Sequence, residues 1–164
     1  AVDMARKIQI NCKVNFIVGH PTERYEDALD TIRLAKNIRS NFVGFNNLIP
    51  YPGTEAYSSI ESNPHARFLY SPEEYLNELT HKRLTPVFET DVFSAQERMS
   101  ALIKGFQVEE KTLAYFRFGK FKGYFVYLLR RNKHVSDISQ RLFDLVVSTR
   151  LGSLAYRLIV KPPW

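Results

Sequence analysis

Two polar turns, each at the end of an apolar run, hold the side chains of this chain best suited to chemistry. The first turn, residues 19–23, contains His20 and Glu23, an imidazole and a carboxylate that can exchange protons or bind a polar substrate. The second turn, residues 50–54, follows a run that contains two adjacent amides, Asn46 and Asn47, and amides in a buried strand need hydrogen-bond partners. We therefore expect any small-molecule site of the chain at these two turns.

Each of these side chains also has a structural interpretation. Glu23 stands where a helix-patterned segment begins, and a carboxylate there stabilises the positive end of the helix dipole. His20 is explained as well by an ordinary solvated loop residue, whereas Asn46 is harder to explain without a ligand or an interior network. We keep His20 and Glu23 as candidates for substrate contact and Asn46 as a candidate ligand-binding residue.

The apolar run before the first turn alternates as a strand does. Its apolar face is predicted to pack under helices, and its polar face to line an interior that holds a ligand. The apolar face consists of Ile10, Cys12, Val14, Phe16 and Val18, and the polar face of Asn11, Lys13, Asn15, Ile17 and Gly19. We expect Asn15, Ile17 and Gly19 to face that interior.

A helix over about residues 23–39 is predicted between the turns, with Thr22 as its N-cap and acidic side chains in its first turn. Residues 42–49 are predicted to form a second strand. Strands joined by such a helix pair in parallel through a right-handed crossover, and ligands of such sheets bind at the carboxyl ends of the strands. Both polar turns lie at that edge.

The rest of the chain is predicted to be irregular at first and then helical. Capping boxes at Ser71 and Ser94 each begin a helix, and Gly119 or Gly123 interrupts the later helical pattern. The core face of the helix that begins at Ser94 is expected to carry Met99, Leu102, Ile103 and Phe106. A short strand is expected over residues 85–90, and further helices over residues 121–129, 135–149 and 152–160.

Composition excludes several classes of protein. The hydrophobic content of 45% supports a packed core, and 164 residues suffice for one domain or part of a larger one. No apolar run reaches the roughly 18 residues that a membrane span needs. Cys12 is the only cysteine, which excludes a disulfide framework or a cysteine-ligated cluster made by this chain alone and favours a cytoplasmic location. His65, His81 and His134 lack metal-ligand spacing, so no metal site is predicted.

Charge is distributed unevenly along the chain. Residues 1–110 hold 12 Lys and Arg against 15 Asp and Glu, whereas residues 111–164 hold 11 against two. The basic region is also rich in aromatic residues. It is interpreted first as a helical cap with its aromatic residues packed inward, then as a surface for a membrane or a lipid-like substrate. A nucleic-acid surface is the least favoured interpretation.

The two turns resemble, in order and spacing, the motifs of the radical S-adenosylmethionine superfamily. The resemblance is strongest to the branch whose enzymes usually carry an N-terminal cobalamin-binding domain. The first motif, Gly-x-Pro-x-Glu, occupies residues 19–23, and the second, Pro-Tyr-Pro-Gly-Thr-Glu, occupies residues 50–55. The resemblance covers about residues 1–57.

This resemblance implies an α/β fold. The chain would contain the C-terminal part of a partial (β/α) barrel with parallel strands, then an irregular segment, then an α-helical C-terminal region. The corresponding domains would be residues 1–57, 58–93 and 94–164. The family's Cys-x3-Cys-x2-Cys loop, which holds its cluster, is absent here. We therefore expect a fragment that needs an upstream part of the same polypeptide and is inactive alone.

The chemistry that the resemblance implies is enzymatic: reductive cleavage of S-adenosylmethionine to a radical, with methyl transfer to carbon frequent in the cobalamin branch. The 4Fe-4S cluster and any cobalamin would be bound outside this chain. By the resemblance, Ile17 and Gly19 match the later positions of a Gly-x-Ile-x-Gly strand that contacts adenine, and Asn15 replaces the first glycine. Asn46 and Leu48 would line the cofactor pocket from the next strand, and the substrate would be a small or lipid-like molecule.

Two alternatives stay open. The first is a non-enzymatic helical module that binds an anionic membrane or a partner through residues 111–164, which would place the protein at the membrane periphery. The second is an unrelated α/β barrel enzyme with a phosphate-type ligand at the helix N-terminus near Thr22.

Overall fold

The computed structural model describes residues 1–79 and 82–131, and these form a mixed α/β structure. The strands are β1 (Lys13–Val18), β2 (Phe42–Asn47), β3 (Ala66–Phe68) and β4 (Phe88–Thr90). The α-helices are α1 (Val2–Lys7), α2 (Tyr25–Asn37), α3 (Glu55–Glu61), α4 (Pro72–Glu74), α5 (Ala95–Phe118) and α6 (Lys120–Arg131). A π-helical turn, Tyr75–Leu79, follows α4.

The β1–α2–β2 unit has the predicted parallel pairing. The carbonyl oxygen of Cys12 accepts from the backbone N–H of Asn41 at 3.0 Å, and that of Val18 accepts from Leu48 at 2.9 Å. Residue numbers therefore increase in the same direction on both strands, as they do only in a parallel pair. The α/β class is therefore confirmed, and within the described residues the sheets are two-stranded and do not close into a barrel.

The two faces of β1 differ as the alternation predicts. Val14 and Phe16 are half-buried and Val18 is fully buried, whereas Asn15 and Ile17 are exposed. The apolar face packs with α2, β2 and the first half of α5 around one core. That core consists of Val18, Ala28, Ile32, Ala35, Val43, Phe45, Phe93, Ala101, Leu102 and Val108.

Helix α2 begins at Tyr25, two residues later than predicted. Its first turn is closed by Asp27, whose Oδ2 accepts from the backbone N–H of Arg24 at 2.9 Å. Thr22 is therefore not the N-cap, because residues 20–23 form a separate turn, with Glu23 N–H donating to His20 O at 3.0 Å. Both strands are also shorter than predicted.

The middle of the chain contains more regular structure than predicted. Strands β3 and β4 pair antiparallel, with Phe68 opposite Phe88, and α3 precedes them. The capping box at Ser71 begins α4 as predicted. A second core lies here, formed by Ile60, Tyr75, Leu79, Val87 and Phe88.

Helix α5 begins after Ser94, and the helical pattern breaks at Gly119, which has a φ of +77°. The predicted core face of α5 is wrong in part, because Met99 and Ile103 are 43% and 41% exposed. In the first half of α5 the buried positions follow a 3, 1, 3, 3 spacing, which places the core face away from Met99 and Ile103. These buried positions are Arg98, Ala101, Leu102, Gly105 and Val108.

The chain divides into two compact units. One consists of residues 14–39 and 43–108. The other contains residues 1–13, 40–42 and the described chain from Glu109 onward. In the second unit, Phe42 and Phe116 lie in ring contact, with centroids 5.3 Å apart. The domain boundaries expected from the sequence stay a prediction. His81, His134 and the helices predicted over residues 135–149 and 152–160 lie outside the described residues.

Among residues 1–79 and 82–131, no helix combines the length and apolar character that crossing a bilayer requires.

Gly105→Ala is expected to destabilise the protein although alanine favours helix. A Cβ at Gly105 would lie 2.6 Å from Cδ1 of Phe45, inside the first core. Overpacking of this kind costs about 1–3 kcal/mol, more than the roughly 1 kcal/mol gained from helix propensity. Urea unfolding measures the difference, and Gln107→Ala, exposed on the same helix, is the control. A Gly105→Ala variant more stable than wild type would contradict the close packing.

Ser94→Ala should lower the free energy of unfolding by about 1 kcal/mol at neutral pH. Ser94 Oγ donates to Glu97 Oε2 at 2.8 Å, and the Ser94 hydrogen bonds lower the pKa of Glu97 below its ordinary 4.5. A lowered carboxylate pKa adds stability above 4.5 that is lost as the pH falls through the folded pKa. The difference in the free energy of unfolding between wild type and variant should therefore become smaller in acid, and urea titrations at several pH values measure it. A constant gap would refute this, and Ser59→Ala on α3 serves as the control.

Candidate cofactor-binding face

The polar face of the β1–β2 pair brings three predicted site residues together. Asn15, Ile17 and Asn46 are all exposed, and Ile17 exposes 60% of its surface. The opposite face is core, where the rings of Phe16 and Phe45 stack with centroids 5.2 Å apart. Because side chains alternate along a strand, Asn15, Ile17 and Asn46 lie on the face that the core leaves open.

The other two predicted cofactor-binding residues lie at the ends of these strands. Gly19 is buried at the turn after β1 and has a φ of +103°. Leu48 follows β2, is half-buried and packs against the second core. Leu48 therefore contributes to the packing behind the second turn as well as to its surface.

Glu23 stabilises the backbone of the first turn. Its Oε2 accepts from the N–H of Gly19 at 2.5 Å and from that of His20 at 3.0 Å. The Glu23 carboxylate therefore holds the backbone of this turn. His20 is exposed, and its Nδ1 lies 3.0 Å from Thr22 Oγ1.

A residue that the sequence did not indicate, Arg98, holds this turn from behind. Its side chain is 1% exposed, and its Nη1 donates to Gly19 O at 2.8 Å while its Nε donates to Phe93 O at 2.9 Å. The guanidinium lies over the ring of Phe88 at 4.2 Å and over that of Phe93 at 4.6 Å. Two carbonyls and two aromatic rings thus fix one buried cation.

The environment of Arg98 explains why position 19 is glycine. A Cβ there would lie 2.7 Å from Arg98 Nη1, and the positive φ disfavours other residues. Burial lowers the pKa of Arg98 to about 10, against the raising effect of Glu23 and Glu89, so the side chain stays protonated at neutral pH. Its Nη2 finds no hydrogen-bond partner among the described residues.

Arg98 lies 79 positions from Gly19, so no local motif could have linked the two. One signal was present in the sequence. Arg98 precedes Ala101 and Leu102 by three and four positions, the spacing of one helix face, and both are fully buried.

The second turn is held by structural contacts of its own. The hydroxyl of Tyr75, which is fully buried, donates to Pro50 O at 2.5 Å. Asn47 Nδ2 donates to Thr85 O at 2.8 Å, and Thr54 Oγ1 accepts from Tyr57 N–H to begin α3. Of the two adjacent amides, Asn47 therefore anchors a loop, whereas the exposed Asn46 is available to a ligand.

The open face suits a planar polar ligand. Ile17 offers an apolar contact, and the amides of Asn15 and Asn46 can donate and accept hydrogen bonds. It does not suit a metal: within the described part of the chain, no three His, Cys, Asp or Glu side chains group to hold one. Cys12, which directly precedes β1, is half-buried.

A separate open cleft of about 350 Å³ lies beside the antiparallel β3–β4 pair. Two side-chain pairs line it: His65 Nδ1 lies 2.7 Å from Asp91 Oδ2, and Arg67 Nη2 lies 2.5 Å from Glu89 Oε1. His65 therefore has a hydrogen-bond partner in Asp91.

Arg98→Met should destabilise the protein by about 2 kcal/mol, because two carbonyl groups lose a charged donor while the apolar chain still fits between the rings. In the same variant, amide hydrogen exchange at Gly19 and His20 should be faster than in wild type, because the backbone of the first turn would open more often. Arg33→Met, an exposed ion-pair partner of Asp30, is the control and should change stability by less than about 0.5 kcal/mol. Unchanged exchange at the turn would show that Arg98 does not hold it.

Comparison with known proteins gives a partial similarity. Over 63 residues the chain is 33% identical to an uncharacterized methyltransferase of Pyrococcus horikoshii. The match covers 38% of this chain and 14% of that protein, so the chain spans a small part of its relative's length. No family model matches the chain, and no solved structure matches it. The chain is thus similar, over less than half its length, to a protein named as a methyltransferase.

Proposed function

We propose that this chain is the C-terminal portion of a radical S-adenosylmethionine enzyme of the cobalamin-associated branch. In this proposal the open β1–β2 face is the adenine-side wall of the cofactor pocket. The observation that carries it is the exposure of Ile17, Asn15 and Asn46 on the non-core face of two parallel strands. Ligands of parallel α/β folds bind at the carboxyl ends of their strands, where both motif turns lie.

The similarity to a methyltransferase supports the same proposal, because S-adenosylmethionine is a methyl donor as well as a radical source. When bound, it would supply the radical or the methyl group for modification of a small or lipid-like substrate. The 63-residue similarity supports methyl transfer, because the similar protein is named as a methyltransferase. The radical part of the proposal rests on the two sequence motifs.

The residues of this chain would bind and orient the cofactor. Ile17 would contact the adenine ring and exclude water from it, while Asn15 and Asn46 would hydrogen-bond its polar edge. The buried Gly19 would let the backbone approach closely, and Leu48 would close the pocket at the second strand. His20, exposed at the rim of the turn, is the candidate for substrate contact or proton transfer, and Glu23 would orient it by holding its backbone.

The described residues do not fit the iron–sulfur cluster. Its ligands would be three cysteines, whereas Cys12 is the chain's only one. In the proposal the cluster, and any cobalamin, belong to an upstream part of the same polypeptide. The proposal accordingly includes an enzyme whose C-terminal portion is inactive by itself.

Ile17→Asp in the full-length protein should weaken S-adenosylmethionine binding roughly tenfold or more, because a carboxylate would replace the apolar contact of the adenine ring. Isothermal titration calorimetry with S-adenosylmethionine and with S-adenosylhomocysteine measures the effect. Leu34→Asp is the matched control, since Leu34 is 56% exposed on α2, away from the proposed wall. Equal binding by the two variants would refute the wall.

The radical part of the proposal has its own test. The upstream coding sequence should contain a Cys-x3-Cys-x2-Cys triplet, and the full-length protein should show iron–sulfur absorbance after reconstitution. Residues 1–164 alone should show neither this absorbance nor cleavage of S-adenosylmethionine. A full-length protein that binds S-adenosylmethionine but has no such triplet would contradict the radical part of the proposal and would indicate a methyltransferase of another kind.

A further inference from the structure

Over residues 120–128, helix α6 is buried along one face. The chain turns at Gly119, and α6 then approaches the end of α5 so closely that a Cβ at Gly123 would lie 2.6 Å from Ala114 O. Tyr127, four residues on, is 8% exposed. Gly123 and Tyr127 therefore mark the buried face of α6.

The opposite face carries a continuous apolar surface, which we name the α6 aromatic stripe. It consists of Phe121, Tyr124, Phe125 and Leu128, which are 79%, 45%, 52% and 41% exposed. Their spacing of three, one and three residues places them on one side of a helix. Neighbouring rings in the stripe touch, with Phe121 and Phe125 centroids 5.3 Å apart.

Two exposed lysines border the stripe. At about 100° per residue, Lys120 and Lys122 lie on opposite flanks of the line through Phe121 and Phe125. Residues 111–164 as a whole hold 11 Lys and Arg against two acidic residues. Lys120 and Lys122 therefore place one cation on each flank of the stripe.

We propose that the α6 aromatic stripe docks on an anionic membrane surface. Aromatic and leucine side chains fit the boundary between headgroups and acyl chains, and lysines on both flanks can extend to lipid phosphates. Phe121 and Phe125 contact each other at an interplanar angle of 68°, so they do not present parallel ring faces for base stacking. The two flanking lysines favour anionic lipid headgroups over a neutral partner. This docking is independent of the proposed cofactor site.

The test is co-sedimentation of the full-length protein with vesicles of phosphatidylcholine, with and without phosphatidylserine, at low and high salt. Wild type should bind the anionic vesicles at low salt and dissociate at high salt. Lys120→Gln with Lys122→Gln should weaken this binding about 25-fold, since each lysine near an anionic surface contributes about fivefold. Phe121→Ser with Phe125→Ser should weaken it roughly tenfold or more on the same vesicles.

Matched controls replace two lysines, or two apolar side chains, at exposed positions outside the stripe. Lys7→Gln with Lys36→Gln changes the charge equally, and Leu34→Ser with Val92→Ser removes two apolar side chains. Both controls should bind as wild type does. Melting curves by circular dichroism verify the fold of each variant, and the exposed lysine pair decides the test if the phenylalanine pair unfolds.

Three results would overturn the proposal. The first is no sedimentation of wild type with anionic vesicles at low salt. The second is equal binding by the stripe variants and their controls. The third is a wild-type oligomer that the phenylalanine variant dissociates while neither binds vesicles, which would make the stripe a contact between copies of the chain.

Discussion

The geometry of the first turn depends on the buried guanidinium of Arg98. This one group donates to Gly19 O after β1 and to Phe93 O before α5, and its two flanking rings belong to the loop and strand that precede α5. A buried cation is costly unless its hydrogen bonds are made, so each of these contacts constrains the others. The requirement for glycine at position 19 follows directly, because a Cβ would collide with Nη1.

Once the turn is held from behind, the polar groups near it divide into two kinds. Glu23 binds the turn's own N–H groups and Asn47 binds Thr85 O, so both serve the scaffold. Asn15, Ile17 and Asn46 lie on the face that the core leaves open. In the proposed function this open face contacts the cofactor, and side chains positioned before binding would lose little conformational entropy when the ligand binds.

Local signals predicted the elements well and their packing less well. The alternation in β1, the capping boxes at Ser71 and Ser94 and the break at Gly119 are confirmed, since each depends on residues within a few positions of one another. The predicted start of α2 was two residues too early, because the Glu23 carboxylate accepts from backbone N–H groups of the preceding turn rather than from those of the helix. The core face of α5 was misjudged because hydrophobicity favoured Met99 and Ile103 over a small residue and a buried arginine.

The sequence by itself determined the α/β class, the parallel strand–helix–strand unit and the separation of Asn15 and Ile17 from the apolar face of β1, because period-2 alternation and turn residues act locally. The structure shows that these two side chains are exposed. Only the tertiary structure decided which polar groups support the turns and which remain open to a ligand. Arg98 and Gly19 are 79 residues apart, and Asn47 and Thr85 are 38 apart. Such pairings are set by how the helices and loops pack, and no spacing within a motif records them.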